Sequence, residues 1–123
     1  MDKSSFDKWV EAYIDLYDNN DVPDENHPSY WAVERFVDLE ADFPEDCWAA
    51  ILSIVAKRPT PRILANLASG PMEELLELHG NEFIERIEKE ARTNPDFRNM
   101  LHSVWEITNE AIWRRLLRVR LDG

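Results

Sequence analysis

TPRILANLASGPMEELLELHG (residues 60–80) decides the fold of this chain. Thr60 followed by Pro61 is a helix start: the threonine side chain accepts from an otherwise unpaired N–H of the first turn. Proline is tolerated at the first helical position, because its missing N–H would have no partner there. Ile63, Leu64 and Leu67 then share one face at helical spacing. Gly70-Pro71 reads as a stop and a restart, and Met72, Leu75 and Leu76 line the next helix, which ends at His79-Gly80.

Outward from this stretch the same punctuation recurs. Towards the C-terminus, Asn81 caps a helix built on Phe83, Ile84, Ile87 and Ala91. Asn94-Pro95 repeats the cap-then-proline device ahead of Phe97, Met100, Leu101, Val104 and Trp105. Thr108-Asn109 breaks the pattern before Ile112, Trp113, Leu116 and Leu117. Towards the N-terminus, Pro44 opens a helix with Glu45 and Asp46 in its first turn and Lys57 and Arg58 at its end, charges that complement the helix dipole. Cys47, Trp48, Ile51, Leu52 and Val55 form its apolar face. Tyr30, Val33, Phe36 and Val37 mark a short helix from Pro28 to about Ala41. Asp18 to Asn26 is polar, contains Pro23 and reads as a loop. Phe6, Trp9, Val10, Tyr13, Ile14 and Tyr17 form a first helix, with Ser4 and Asp7 as a capping box. No period-two alternation and no Asn-Gly or Asp-Gly hairpin turn occurs. The expectation is an all-α fold of seven or eight short helices, as a compact bundle or a HEAT-like antiparallel helical stack, although no clean repeat of 33–47 residues is present. Its expected core includes Trp48, Leu52, Leu64, Leu75, Ile84, Leu101 and Trp105.

The chain has 123 residues, 14 basic and 25 acidic, for a formal net charge of −11. That length predicts a single domain over 1–123, with acidic N-terminal helices and loop over 1–42 and a helical core over 43–120. A hydrophobic content of 44% argues against disorder. No apolar run suits a membrane span, and Met1-Asp2-Lys3-Ser4-Ser5 lacks the start of a signal peptide. One cysteine excludes an internal disulfide and a Cys-rich zinc site. A soluble, cytoplasmic protein is expected, and its acidity disfavours direct contact with nucleic acid or an anionic membrane.

The segment from Leu67 to Gly80 contains Gly-Pro-x-Glu-x-Leu-Leu-x-x-His-Gly. Cys47-Trp48 precedes it, and Phe97-Arg98, Val104-Trp105 and Ile112-Trp113 follow. Over about residues 43–120 the chain resembles a family of small bacterial proteins identified only as a domain of unknown function. The resemblance implies a bacterial origin and a compact helical fold. It brings no activity and no catalytic residue.

The residues themselves offer little chemistry. Glu73 and His79 are six apart on one short helix, hence on roughly opposite faces, and each complements the dipole at its own end. His27, His79 and His102 form no ligand pattern, and neither His-Glu-x-x-His nor Glu-x-x-His is present. The run from Asp18 to Ser29 fails as a calcium loop, with Pro23 where glycine is needed and Ser29 where glutamate is needed. Phosphate-binding, dinucleotide and nucleophile-elbow motifs are absent. Cys47, beside Trp48 on an apolar face, reads as a buried structural thiol. No catalytic residue, cofactor or metal is expected, and the chain does not read as an enzyme.

Charge is the informative feature. Residues 1–50 hold 14 acids against Lys3, Lys8 and Arg35, whereas residues 51–123 hold 11 of each sign. Between 82 and 92, Glu82–Arg86, Glu85–Lys89 and Glu88–Arg92 are favourable i,i+4 pairs that predict an ordinary solvated face. The first helix does the reverse: Asp7, Glu11, Asp15 and Asp18 form a like-charge ridge, continued by Glu34 and Asp38 on the second helix, with Asp21, Asp24 and Glu25 between. Of five tryptophans, Trp9, Trp48, Trp105 and Trp113 fall on apolar faces, while Trp31 lies off its helix's stripe and suits an interface. The expected partner-binding set is Asp7, Glu11, Asp15, Asp18, Trp31, Glu34 and Asp38. It would meet a basic protein partner, the profile of an immunity protein that neutralises a basic toxin domain. The alternative is a helical scaffold or adaptor in which acidity only aids solubility.

Overall fold

The computed structural model describes residues 2–18 and 24–121. Seven α-helices follow one another among these residues: α1 (Lys3–Tyr17), α2 (Trp31–Leu39), α3 (Pro44–Ala56), α4 (Pro61–Leu67), α5 (Glu73–Thr93), α6 (Pro95–Leu101) and α7 (Glu110–Leu121). A π-helical turn over Ala68–Met72 joins α4 to α5. No strand occurs among the described residues, so the fold is all-α.

α3 organises the molecule. Its sequence is apolar nearly all round, and such a helix is buried on more than one side. Cys47, Trp48, Ala50, Ile51, Ile54 and Val55 are all buried. α3 packs on α1 and α2 and also on α5, α6 and the π-turn. A repeat stack restricts each unit to its neighbours; contacts of α1 with α4 and of α3 with α6 instead describe the compact bundle. One hydrophobic cluster runs from Trp9 to Val119. Within it Trp9 tilts on Phe36 at 4.6 Å between ring centroids, and Trp48 meets Phe97 edge-on at 5.6 Å. The Trp9 indole N–H donates to the Ala32 carbonyl at 2.9 Å, locking α1 to α2.

The caps at Thr60 and Asn94 form as expected, accepting from the Ile63 and Phe97 N–H groups. Other boundaries differ. The cap of α1 is Asp2, whose carboxylate accepts from the Ser5 N–H at 2.8 Å, rather than Ser4. Gly70-Pro71 does not end a helix: the backbone continues through the π-turn, whose wider winding accommodates a proline that has no N–H to donate. His79-Gly80 is a kink inside α5, with His79 at φ −137°, ψ 26°. There the bare backbone of Gly80 lets α7 approach so closely that a Cβ would lie 3.1 Å from Ile112 Cδ1.

The largest correction concerns Trp105. α6 stops at Leu101 through successive i→i+3 bonds at His102, Ser103 and Val104. Beyond it the chain is non-helical to Asn109, which caps α7 through the Ile112 N–H at 3.1 Å. In that segment Val104 and Ile107 turn inward, and Trp105 is 75% exposed. Trp48, Leu75, Ile84 and Leu101 are buried, and Leu52 and Leu64 pack partly buried against them.

Candidate functional site

The acidic ridge arises from α1's own period. Its buried face carries Trp9, Val10, Tyr13, Leu16 and Tyr17, which leaves Asp7, Glu11 and Asp15 exposed on the other side, with Asp18 exposed at the C-cap. Glu34 and Asp38 are exposed on α2, and Trp31, its first residue, is 36% exposed. Arg35 lies over the Trp31 ring at 5.3 Å from the centroid. None of the ion pairs among the described residues engages Asp7, Glu11, Asp15, Asp18, Glu34 or Asp38. Asp15 accepts from the Ser29 hydroxyl at 2.8 Å, which ties the ridge to the start of α2. Asp21 of the same expected acidic stretch, and with it residues 19–23 of the run tested above as a calcium loop, lie outside the described residues.

Folding adds a cation that the linear order hides. Asp7 and Glu11 line a surface hollow of about 240 Å³ together with Val10, Ser53, Ala56 and Lys57. Lys57, the C-cap of α3, therefore flanks the N-terminal half of the ridge.

The C-terminal charges are committed to tertiary work. Arg86 pairs in bidentate fashion with Glu45 at the start of α3, at 2.6 and 2.9 Å, and not with Glu82. Glu88 takes Arg115 of α7 in the same way, not Arg92. These bonds hold the Glu45 and Glu88 carboxyls below their ordinary range. Glu73 and His79 stand apart, each with other partners. The Glu73 carboxyl is pushed up by burial, an effect opposed by the Trp105 backbone N–H it accepts. His79 Nε2 lies 2.8 Å from the Glu40 carbonyl oxygen; a carbonyl only accepts, so Nε2 carries the proton. Cys47 is buried, and desolvation pushes its thiol up to about 12, the signature of an unreactive structural cysteine. Among the described residues no three His, Cys, Asp or Glu side chains converge as metal ligands.

A second feature has no counterpart in the sequence reading. α1, α2 and the π-turn enclose a cavity of about 130 Å³ lined chiefly by Tyr13, Tyr17, Phe36, Val33 and Pro71, with Glu40 and Glu74 among its walls. The Tyr13 side chain in this wall is buried against Tyr17, their ring centroids 5.0 Å apart. Burial also pushes the Glu40 carboxyl up, and the nearby Glu74 charge adds to the effect. Apolar residues at helical spacing signalled only core, so a gap between three of them was not foreseeable.

No helix among the described residues is long and apolar enough to cross a membrane. No curated protein and no solved structure matches the chain. A family model does match, over residues 19–123, extending the resemblance through the interhelical loop and α2 and leaving all of α1 outside it. The chain therefore belongs to the family of unknown function DUF6869.

Proposed function

We propose that this chain is a small protein–protein interaction module whose acidic N-terminal face docks a basic protein, in the manner of a bacterial cytoplasmic immunity protein that covers the basic cleft of a toxin. The observation that carries this reading is the contrast between the two halves: after Phe43 several carboxylates enter ion pairs, among them the tertiary bridges Glu45–Arg86 and Glu88–Arg115, while the acids of α1 and α2 are exposed and engaged in no ion pair among the described residues. Carboxylates in a row occupy the positions that substrate phosphates take in a basic cleft, and they steer the encounter. Trp31, with Arg35 over its ring, supplies an aromatic anchor beside Glu34.

The test is a triple isosteric variant, Asp7→Asn, Glu11→Gln and Asp15→Asn. Asparagine at 15 can still accept from Ser29, and no lysine is forced against Lys57. With the basic partner isolated from the native cell, stopped-flow association of the variant should be slower at low salt and flatter in its salt dependence. An unchanged rate and slope would reduce the acidic face to a solubility device.

A helical adaptor whose contact surface lies in the C-terminal half is the second reading, favoured by Trp105. This tryptophan is exposed on a segment held to α5 by Glu77, which accepts the Thr108 N–H at 2.5 Å. Loss of partner binding in Trp105→Ser, with the α1 triple variant unaffected, would select it.

A further inference from the structure

Gly70 lies in the π-helical turn directly before Pro71, where the Cβ of any other residue would crowd the proline Cδ, and π-turns recur at functional sites. Its φ is not positive, and apart from its chain neighbours no heavy atom lies within 4 Å of a Cβ built on it. The space its missing side chain leaves belongs to the cavity between α1, α2 and the π-turn.

The walls of that cavity have a definite chemistry. Tyr13, Tyr17 and Phe36 supply aromatic surface, Tyr13 and Tyr17 tilted together at 5.0 Å and Tyr13 edge-on to Phe36 at 5.4 Å. Glu40 and Glu74, from two different elements, bring two carboxylates to the same small space, with exposed Val37 and Glu74 marking its open side. Aromatic faces attract a cation through their negative π-surfaces, and paired carboxylates complete its neutralisation. About 130 Å³ is close to the ~150 Å³ that accommodates benzene in an engineered apolar cavity, and it suits a short alkyl chain.

We infer that the cavity bounded by Tyr13, Tyr17, Phe36, Gly70, Glu40 and Glu74 is a binding site for an alkylammonium group, carried by a free amine or by a lysine side chain. The alkyl stem lies against the aromatic rings and Pro71, and the ammonium faces the two carboxylates. A bound ammonium offsets the charge repulsion between Glu40 and Glu74. The site does not depend on the acidic ridge of α1, whose side chains face away from it.

The test is a titration followed by amide NMR shifts, with n-butylammonium, Nα-acetyl-lysine methylamide and n-butanol as probes at low ionic strength. Saturable shifts around Val33, Val37 and Gly70 are expected for the ammonium probes and not for butanol. Binding of both cations assigns the site to the ammonium end itself, and binding of the lysine derivative alone assigns it to a protein ligand. Gly70→Leu, which puts a side chain into this space at the cost of crowding Pro71, should abolish the shifts in protein that circular dichroism shows to be folded. Glu40→Gln with Glu74→Gln should weaken binding by roughly tenfold or more. Absence of saturable shifts with either cation, equal binding of butanol, or full binding by a folded Gly70→Leu variant would each overturn the assignment.

Discussion

Glu88 and Glu40 show how a carboxylate's surroundings set its contribution to stability. Glu88, only 14% exposed in its side chain, gives both oxygens to Arg115, and this hydrogen bonding holds its carboxyl low in the folded protein. The unfolded chain therefore takes up that proton first as the pH falls. The stabilisation is fully present above the ordinary carboxylate range and is lost as the pH drops through the lowered folded value. Glu88→Gln should accordingly be less stable than the parent at pH 7, and the gap should close towards pH 3 in urea unfolding followed by circular dichroism. Glu40 has the opposite sign. Burial and Glu74 raise its folded pKa, so its ionisation costs stability as the pH rises past 4.5. Glu40→Gln should gain stability at pH 7 and lose that gain in acid. Neither sign was readable beforehand, because sequence neighbours made Arg92 the natural partner of Glu88 and gave Glu40 no partner at all.

At the scale of elements, the starts that pair a cap with proline were readable, whereas those expected at Ser4 and Asn81 were not: Asp2 caps α1, and Asn81 lies inside α5. Proline after Thr60 and Asn94 announces a helix by local chemistry alone, and both caps form. Gly70-Pro71 carries the same local chemistry as a terminator, yet packing of Ala68 and Met72 into the core pulls the chain on through a π-turn. The stretch from His102 to Trp105 reads as helix because Val104 and Trp105 continue the spacing of Phe97 and Leu101, whereas the break expected at Thr108-Asn109 is present. What decides it is remote: Glu77 on α5 accepts the Thr108 N–H. Arg120 closes the other side, donating to the Leu101 and Val104 carbonyls at 3.2 and 3.4 Å. Glu77→Ala should therefore speed exchange of the Thr108 amide by about tenfold, the equivalent of one charge-assisted hydrogen bond. Amide exchange read by NMR should leave α3 unaffected. Slowed or unchanged exchange at Thr108 would mean that the segment is held by Val104 and Ile107 alone.

Across the whole molecule, α3 carries cohesion and α1 carries charge. Ile51 is wholly buried in the helix that touches both halves of the bundle, so Ile51→Ala should cost about 2–5 kcal/mol. The loss should appear as one unfolding transition, measured alike by fluorescence and circular dichroism. The charge asymmetry was readable in full from the order of residues, since 14 acids against 3 bases in the first fifty positions need no structure to count. Its energetic consequence was not, because Lys57 arrives beside Asp7 and Glu11 only when α3 packs on α1. Two like-charge i,i+4 pairs, Asp7–Glu11 and Glu11–Asp15, would together cost about 0.4–1 kcal/mol on an isolated helix. The triple isostere Asp7→Asn, Glu11→Gln and Asp15→Asn should thus raise the thermal midpoint at 10 mM salt in the absence of any partner. Added salt screens exposed charges over a Debye length of ~3 Å at 1 M, so the gain should vanish there. A gain that persists at 1 M salt would trace to side-chain packing and not to charge. No gain at 10 mM would mean that Lys57 already offsets the repulsion, leaving the ridge no electrostatic strain for a basic partner to relieve.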